Sequence, residues 1–449
     1  MFFTRVFDKR KLKRSLERTF KKLLPMELMD MIMHHNHDDQ AALVASSVVS
    51  SQWQGPAQRR LFRSFRITFS MDYTQSDPEV GLYVEFFSTV PTLSTFVTSL
   101  CIRSVIHRTQ SLAADMNSQM ALLVSMLPTL QHLTFENISF TPRRSQQTLL
   151  LKSIRNLSLR SIRMKTHDPE ELFDLFSIKE TLELDFTFVQ APTTGPQIAR
   201  SMPVRHLKIN NPLDCFPRFG RETIFPQLRA LTCDIIDISG KGWLFDRANW
   251  MAAISDFPTT KGHHDNMDRF LRRHGPALEF LRINVRHLVL FGDIDFEDSD
   301  WTAFQLDTVC PNLQTLHLGF QLDLWAEACL EPLMPGEFKC TIDFLIRVIS
   351  SAPRTLTSIV FGISVTLPGC GISGEEVTNF DASETSRQWK RLANVLDPNR
   401  FEDLAAVKFV EQETDAPMVD FRKPLDPVMQ RLLAANFADV EKKGMLYFE

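Results

Sequence analysis

Leu127–Phe135, LPTLQHLTF, carries the pattern that decides the fold. Leu130, Leu133 and Phe135 form an apolar-x-x-apolar-x-apolar unit, with Pro128 two residues ahead of it. The last two apolar residues alternate with polar ones, the period of a strand with one buried face. The unit recurs as Val97/Leu100/Ile102, Ile154/Leu157/Leu159, Val204/Leu207/Ile209, Leu228/Leu231/Cys233 and Leu278/Leu281/Ile283. Further on it returns as Leu313/Leu316/Leu318, Leu356/Ile359/Phe361 and Leu404/Val407/Phe409, with Leu182/Leu184 as a partial copy. Pro226, Pro276 and Pro311 repeat the lead-in proline.

With the middle residue as marker, Leu133, Leu157, Leu182, Leu207 and Leu231 stand 24, 25, 25 and 24 residues apart. Leu231 to Leu281 is 50, about twice that, and later spacings widen to 35, 43 and 48. Leucine-rich repeats run at about 20–29 residues per unit. Helical patterns at Met120–Leu127, Pro169–Phe176, Met267–Arg273 and Thr341–Ser350 lie between the strands. Strand, turn, helix and return make one repeat, so the expected class is α/β, an irregular leucine-rich-repeat-like solenoid. Leucine-rich repeats usually carry Asn or Cys three residues past the last apolar position. Here Ile138, Ile162, Pro212, Ile236, Arg286, Gln321, Ser364 and Gln412 stand there, so no polar ladder is expected and the later turns should be irregular. Leu367–Ser386, with Pro368, Gly369, Gly371 and Gly374, reads as a long loop. The pattern leaves the register between Asp234 and Leu278 open.

On such strands the residues between the apolar positions face outward. The candidate target-binding set is Arg160, Lys208, Asn210, Asp234, Arg282, Asn284 and His317, within a larger outward row that includes Thr134, Glu136, Ser158, Thr232 and Lys408. Arg160, Lys208, Arg282 and Lys408 give that row a slight basic bias, which suits a protein partner of some acidic character.

Ahead of the repeats, Leu24–Phe62 reads LPMELMDMIMHHNHDDQAALVASSVVSSQWQGPAQRRLF. Pro25 and Glu27 suit a helix first turn, and Leu24, Leu28, Met31 and Ile32 share one apolar face. Asp39 is placed to cap a second helix carrying Leu43, Val48 and Val49, and Gly55-Pro56 reads as a turn before Leu61-Phe62. Three such helices bury too little surface to stand alone.

LP-x-E-L, then Leu43, Val48-Val49 and Trp53, resembles an F-box, and HDDQAALVASSVVSSQW is especially similar to F-box proteins abundant in mushroom-forming fungi. LPTLQHLTF, FLRRHGPALEFLRI, CPNLQTLHL and QWKRLANVLDPNRFEDLAAVKF resemble the same family, which extends the likeness weakly over nearly the whole chain. The resemblance implies a three-helix platform for a Skp-type adaptor, and through it a cullin, with Leu24, Pro25, Glu27, Leu28, Ile32, Leu43, Val48, Val49 and Trp53 at the adaptor. Ser46 and Ser50 stand where the family usually has cysteines, and Ser51 where it usually has Arg or Lys. The expected segments are a basic lead-in at 1–20, the F-box at 21–66, the solenoid at 67–423 and a cap at 424–449 with a final strand at Met445–Phe448.

Composition bounds the function. Of 449 residues, 44% are hydrophobic and 23% charged, as in soluble globular proteins. Length alone suggests about three domains, but repeat arrays grow as one unit. Phe outnumbers Tyr 36 to 3, which reads as core filler. A net charge of −4 leaves no nucleic-acid footprint. Seven scattered Cys, without a CxxC pair or a secretory leader, point to free thiols in a reducing compartment, the cytoplasm or nucleus. No apolar run reaches membrane-spanning length. The basic segment Met1–Lys22 is open to four readings: a nuclear import patch at Lys9–Arg14, a mitochondrial presequence, a membrane-surface helix, or a solvated lead-in helix.

No GxSxG, Walker A, GxGxxG or HExxH occurs, so no catalytic residue, cofactor or metal is expected. His34-His35-Asn36-His37-Asp38-Asp39 lacks helical i, i+4 spacing and reads as a polar turn, and His263-His264-Asp265 as a polar loop. The expected function is target recognition for a Skp–cullin–F-box ubiquitin ligase. The alternatives are a scaffold with a vestigial F-box and a hydrolase without a recognisable motif.

Overall fold

The computed structural model describes residues 25–36, 39–49, 51–70, 79–105, 120, 122–140, 152–164, 173, 176–188, 200–210, 219, 224–235, 260–285, 305–323, 335–366, 382–396, 400–412, 422–423, 425 and 427–448. The chain is α/β and divides into two compact units, Met1–Lys179 with Thr187–Thr193, and Glu180–Phe186 with Thr194–Glu449.

The first unit opens with helices α1 (Met26–His35), α2 (Gln40–Val49) and α3 (Ser51–Leu61). The Pro25 carbonyl accepts the Leu28 and Met29 amides at 3.1 and 3.2 Å, which starts α1. Asp39 caps α2 as expected, its carboxylate accepting the Ala42 amide at 2.8 Å. Met33, Leu43 and Ala57 form the shared core, with Trp53 and Leu61 packed against it. Gly55-Pro56 does not break the chain: α3 runs through it. Pro56 loses the amide that would have bonded the turn before it, but its ring is buried, which offsets part of that cost.

Strand β1 (Ser64–Ser70) follows, then α4 (Glu79–Thr89), α5 (Pro91–Ser94), β2 (Ser99–Val105), β3 (His132–Glu136), β4 (Ser139–Phe140) and β5 (Lys152–Met164). β1–β2, β2–β3 and β3–β5 pair in parallel, and so do β4 and β5. Residues 122–125, ahead of β3, are helical. Lys152 Nζ donates to the Val124 carbonyl at 2.7 Å and also to that of Leu127, closing the end of this turn of helix. Burial lowers the Lys152 pKa.

The second unit begins with residues 180–186 of β6 (Phe176–Phe188) and continues with β7 (His206–Ile209) and β8 (Ala230–Ile235). Then come α6 (Thr260–His274), β9 (Phe280–Val285), α7 (Leu306–Val309), β10 (Thr315–Asp323), α8 (Pro335–Ser350), β11 (Ser358–Thr366) and α9 (Ala382–Val395). The chain closes with β12 (Ala406–Gln412), β13 (Arg422–Lys423), α10 (Pro427–Asn436), α11 (Ala438–Lys442) and β14 (Leu446–Phe448). β6 to β12 pair in parallel in chain order. β14 adds to β12 in parallel and β13 antiparallel.

The register is the one the repeated unit implies. Leu100, Leu133 and Leu157 are partners in the first unit. Leu182, Leu207, Leu231, Leu281, Leu316, Ile359 and Val407 are partners in the second. All are buried, and so is the first apolar residue of each unit, from Val97 to Leu404. Fully burying one such side chain contributes about 1.5–3 kcal/mol, so the aligned rows are the core. A backbone device locks many of the rows: one carbonyl just before a strand accepts two successive amides from the next. Thr98 takes Gln131 and His132, Glu279 takes Gln314 and Thr315, and Gln314 takes Thr357 and Ser358. The register left open between Asp234 and Leu278 is settled by the direct pairing Leu231–Leu281.

Where the Asn or Cys ladder was missing, Ile138 and Ile162 are buried instead. Asn137 and Ser161 just before them take left-handed backbone, φ 56° and 52°, which turns the two isoleucines inward. Three further element expectations need correction. The backbone of His263–Asp265 lies within α6, because a run of polar residues looks like a loop in sequence. The loop expected to reach Ser386 ends by Ala382, where α9 begins on the way to Trp389. The helix expected at Pro169–Phe176 is described only at Phe173, and Phe176 already begins β6. The last strand, Leu446–Phe448, follows the expectation. There Phe409 stacks between Phe361 (4.9 Å) and Phe448 (6.1 Å) and meets Phe437 edge-on at 5.1 Å, so phenylalanine does fill the core. Leu24, the basic segment 1–22, His37, Asp38, Ser50 and residues 367–381 lie outside the described residues.

Candidate functional site

The first surface is on α1 and α2. In α1, Met29 and Met33 are the buried residues. The face expected to be apolar, with Leu28, Met31 and Ile32, is turned to solvent; Leu28 is 43% exposed and Met31 56%. Val44, Val48 and Val49 are likewise exposed on α2, Val48 at 71%. Among the described residues, 7 of the 13 large hydrophobic side chains left exposed fall within 26–49. Scattered exposed aliphatics are ordinary, but a concentrated patch marks an interaction surface. Pro25 and Glu27 border it and are exposed.

Two residues expected at the adaptor pack inward, Leu43 fully and Trp53 in part. Leu43 is 2% exposed and Trp53 packs against the same cluster, so both hold the helices together. Sequence periodicity identifies an apolar face without saying whether its cover is internal. Ser46 is half-buried and Ser51 exposed.

The second surface is the polar face of the first unit's sheet. One row across the strands is Arg66, Cys101, Thr134 and Ser158, and the next is Thr68, Arg103, Glu136 and Arg160. Arg103 Nε lies 3.4 Å from Glu136 Oε1, and Arg160 Nε donates to Ser158 Oγ at 3.1 Å. Arg66 hydrogen-bonds the Cys101 side chain, whose thiol pKa is pushed up by burial, with Arg66 and Arg160 lowering it and Glu136 raising it. His132 Nδ1 and Asn156 Nδ2 meet at 2.9 Å beside these rows. Arg66 and Arg103 were missed in the sequence. Arg103 was legible, since it follows Ile102 in a recognised unit, whereas β1 has no copy of the unit to reveal Arg66.

The third surface is the polar face of the second unit, where Glu183, Lys208, Thr232, Arg282, His317, Val360 and Lys408 form one row. Three of the seven residues in the expected target set are too deep to meet a partner. Asn210, Asn284 and His317 are buried, as is Thr232. Longer neighbours cover them: Arg282 Nε donates to Asn284 Oδ1 at 3.1 Å, and His206 Nε2 meets Thr232 Oγ1 at 2.9 Å. Asn210 Nδ2 donates to buried Glu183 at 3.4 Å. Lys208, Arg282 and Lys408 remain half-exposed, as does Arg160 in the first unit. Asp234 pairs with Asn284 in the backbone register, and its side chain lies outside the described residues.

Two further ionisable groups are structural. His274 ends α6 between Phe270 (4.7 Å) and Phe225 (5.4 Å); burial, aided by Arg273, lowers its pKa to about 4. Burial pushes the Cys310 thiol up to about 12. Among the described residues no group of three or more His, Cys, Asp or Glu is placed to hold a metal ion, and no helix is long and apolar enough to cross a membrane. Compared with protein-family models and with curated proteins, the chain matches none.

Proposed function

We propose that this protein is the substrate-recognition subunit of a Skp–cullin–F-box ubiquitin ligase, working in the cytoplasm or nucleus. In this reading α1–α3 are the F-box, and the stacked strand-and-helix units form a leucine-rich-repeat-like solenoid that binds a target protein. The observation that carries the reading is the exposed apolar patch on α1 and α2, at positions where the F-box resemblance puts the adaptor. Pro25, Glu27, Leu28, Ile32, Val48 and Val49 supply the contact surface, while Leu43 and Trp53 set the angle between helices. The chain contributes no bond chemistry. Holding the target beside the ligase's charged carrier raises its effective concentration, and that proximity is the mechanism.

The test is capture of a Skp-type adaptor by the Ile32→Asp/Val48→Asp double variant. Both side chains are exposed, so folding is spared. Recovery should fall at least tenfold; recovery equal to the parent chain overturns the assignment. The second reading, a scaffold with a vestigial F-box, is favoured by exposed Ser51, which offers no charge to an acidic adaptor. It predicts a folded chain that recovers no cullin.

A further inference from the structure

We draw no further inference here: the strongest candidate, the exposed apolar stripe of Leu82 and Phe86 on α4 with Val90 just past its end, carries no proposal because nothing in the structure shows what covers it.

Discussion

Acidification should weaken the second unit through one histidine. His274 is 8% exposed and wedged between two phenylalanine rings, and burial with nearby Arg273 lowers its pKa from an ordinary 6.5 to about 4. The ring is therefore neutral when folded. Because the folded value lies below the unfolded one, its stabilising effect is fully present above about pH 6.5 and is lost as pH falls toward 4. Two and a half units at ~1.4 kcal/mol each give an upper bound of ~3.5 kcal/mol. Because the ring is not wholly shielded from solvent, the effect is taken as about 2 kcal/mol. The assay is urea unfolding at about pH 7.5 and about pH 4.5, for the parent and for His274→Phe, which keeps an aromatic ring and removes the titration. The parent should lose about 2 kcal/mol more than the variant between the two conditions. Equal losses in the two proteins would refute the reasoning.

Other outcomes follow from the packing. A Cβ on Gly275 would lie 2.3 Å from the Val309 carbonyl oxygen and 2.8 Å from Cys310 Sγ; since backbone cannot rotate aside, Gly275→Ala should cost about 3 kcal/mol by urea midpoint, and a cost near zero would contradict the contact with α7. Leu43→Ala should cost about 2–3 kcal/mol, whereas Val48→Ala, at 71% exposed, should cost under about 0.5 kcal/mol; equal costs would show that the α1–α3 core is misassigned. Cys310, with its thiol pushed up to about 12, should resist thiol reagents until denaturant is added, and rapid native labelling would contradict its burial.

The sheet was legible because the same three apolar positions recur and a strand's period of two leaves little freedom in placing them. Leu133, Leu157 and Leu182 fell where their neighbours could be counted, and even the 50-residue gap after Leu231 resolved into one crossover holding α6. What the pattern could not show was depth. Asn284 and His317 alternate with buried leucines just as Arg282 does, yet they are buried, because a neighbour's length decides cover and that is a property of the row rather than the strand. The same limit applies to Leu43 and Trp53. An apolar face looks alike whether its cover comes from the next helix or from a partner, and only the packing of Met33, Leu43 and Ala57 told the two apart. Arg66 stayed hidden because β1 has no copy of the repeat unit.

The measurement that tests the central claim most directly is co-expression of the full-length chain with a Skp-type adaptor, followed by size-exclusion chromatography with mass detection. The account predicts a one-to-one complex that covers the apolar patch of Leu28, Met31, Ile32 and Val48 and that is lost in the Ile32→Asp/Val48→Asp variant. A well-folded chain that elutes alone, with the adaptor in a separate peak, would contradict it.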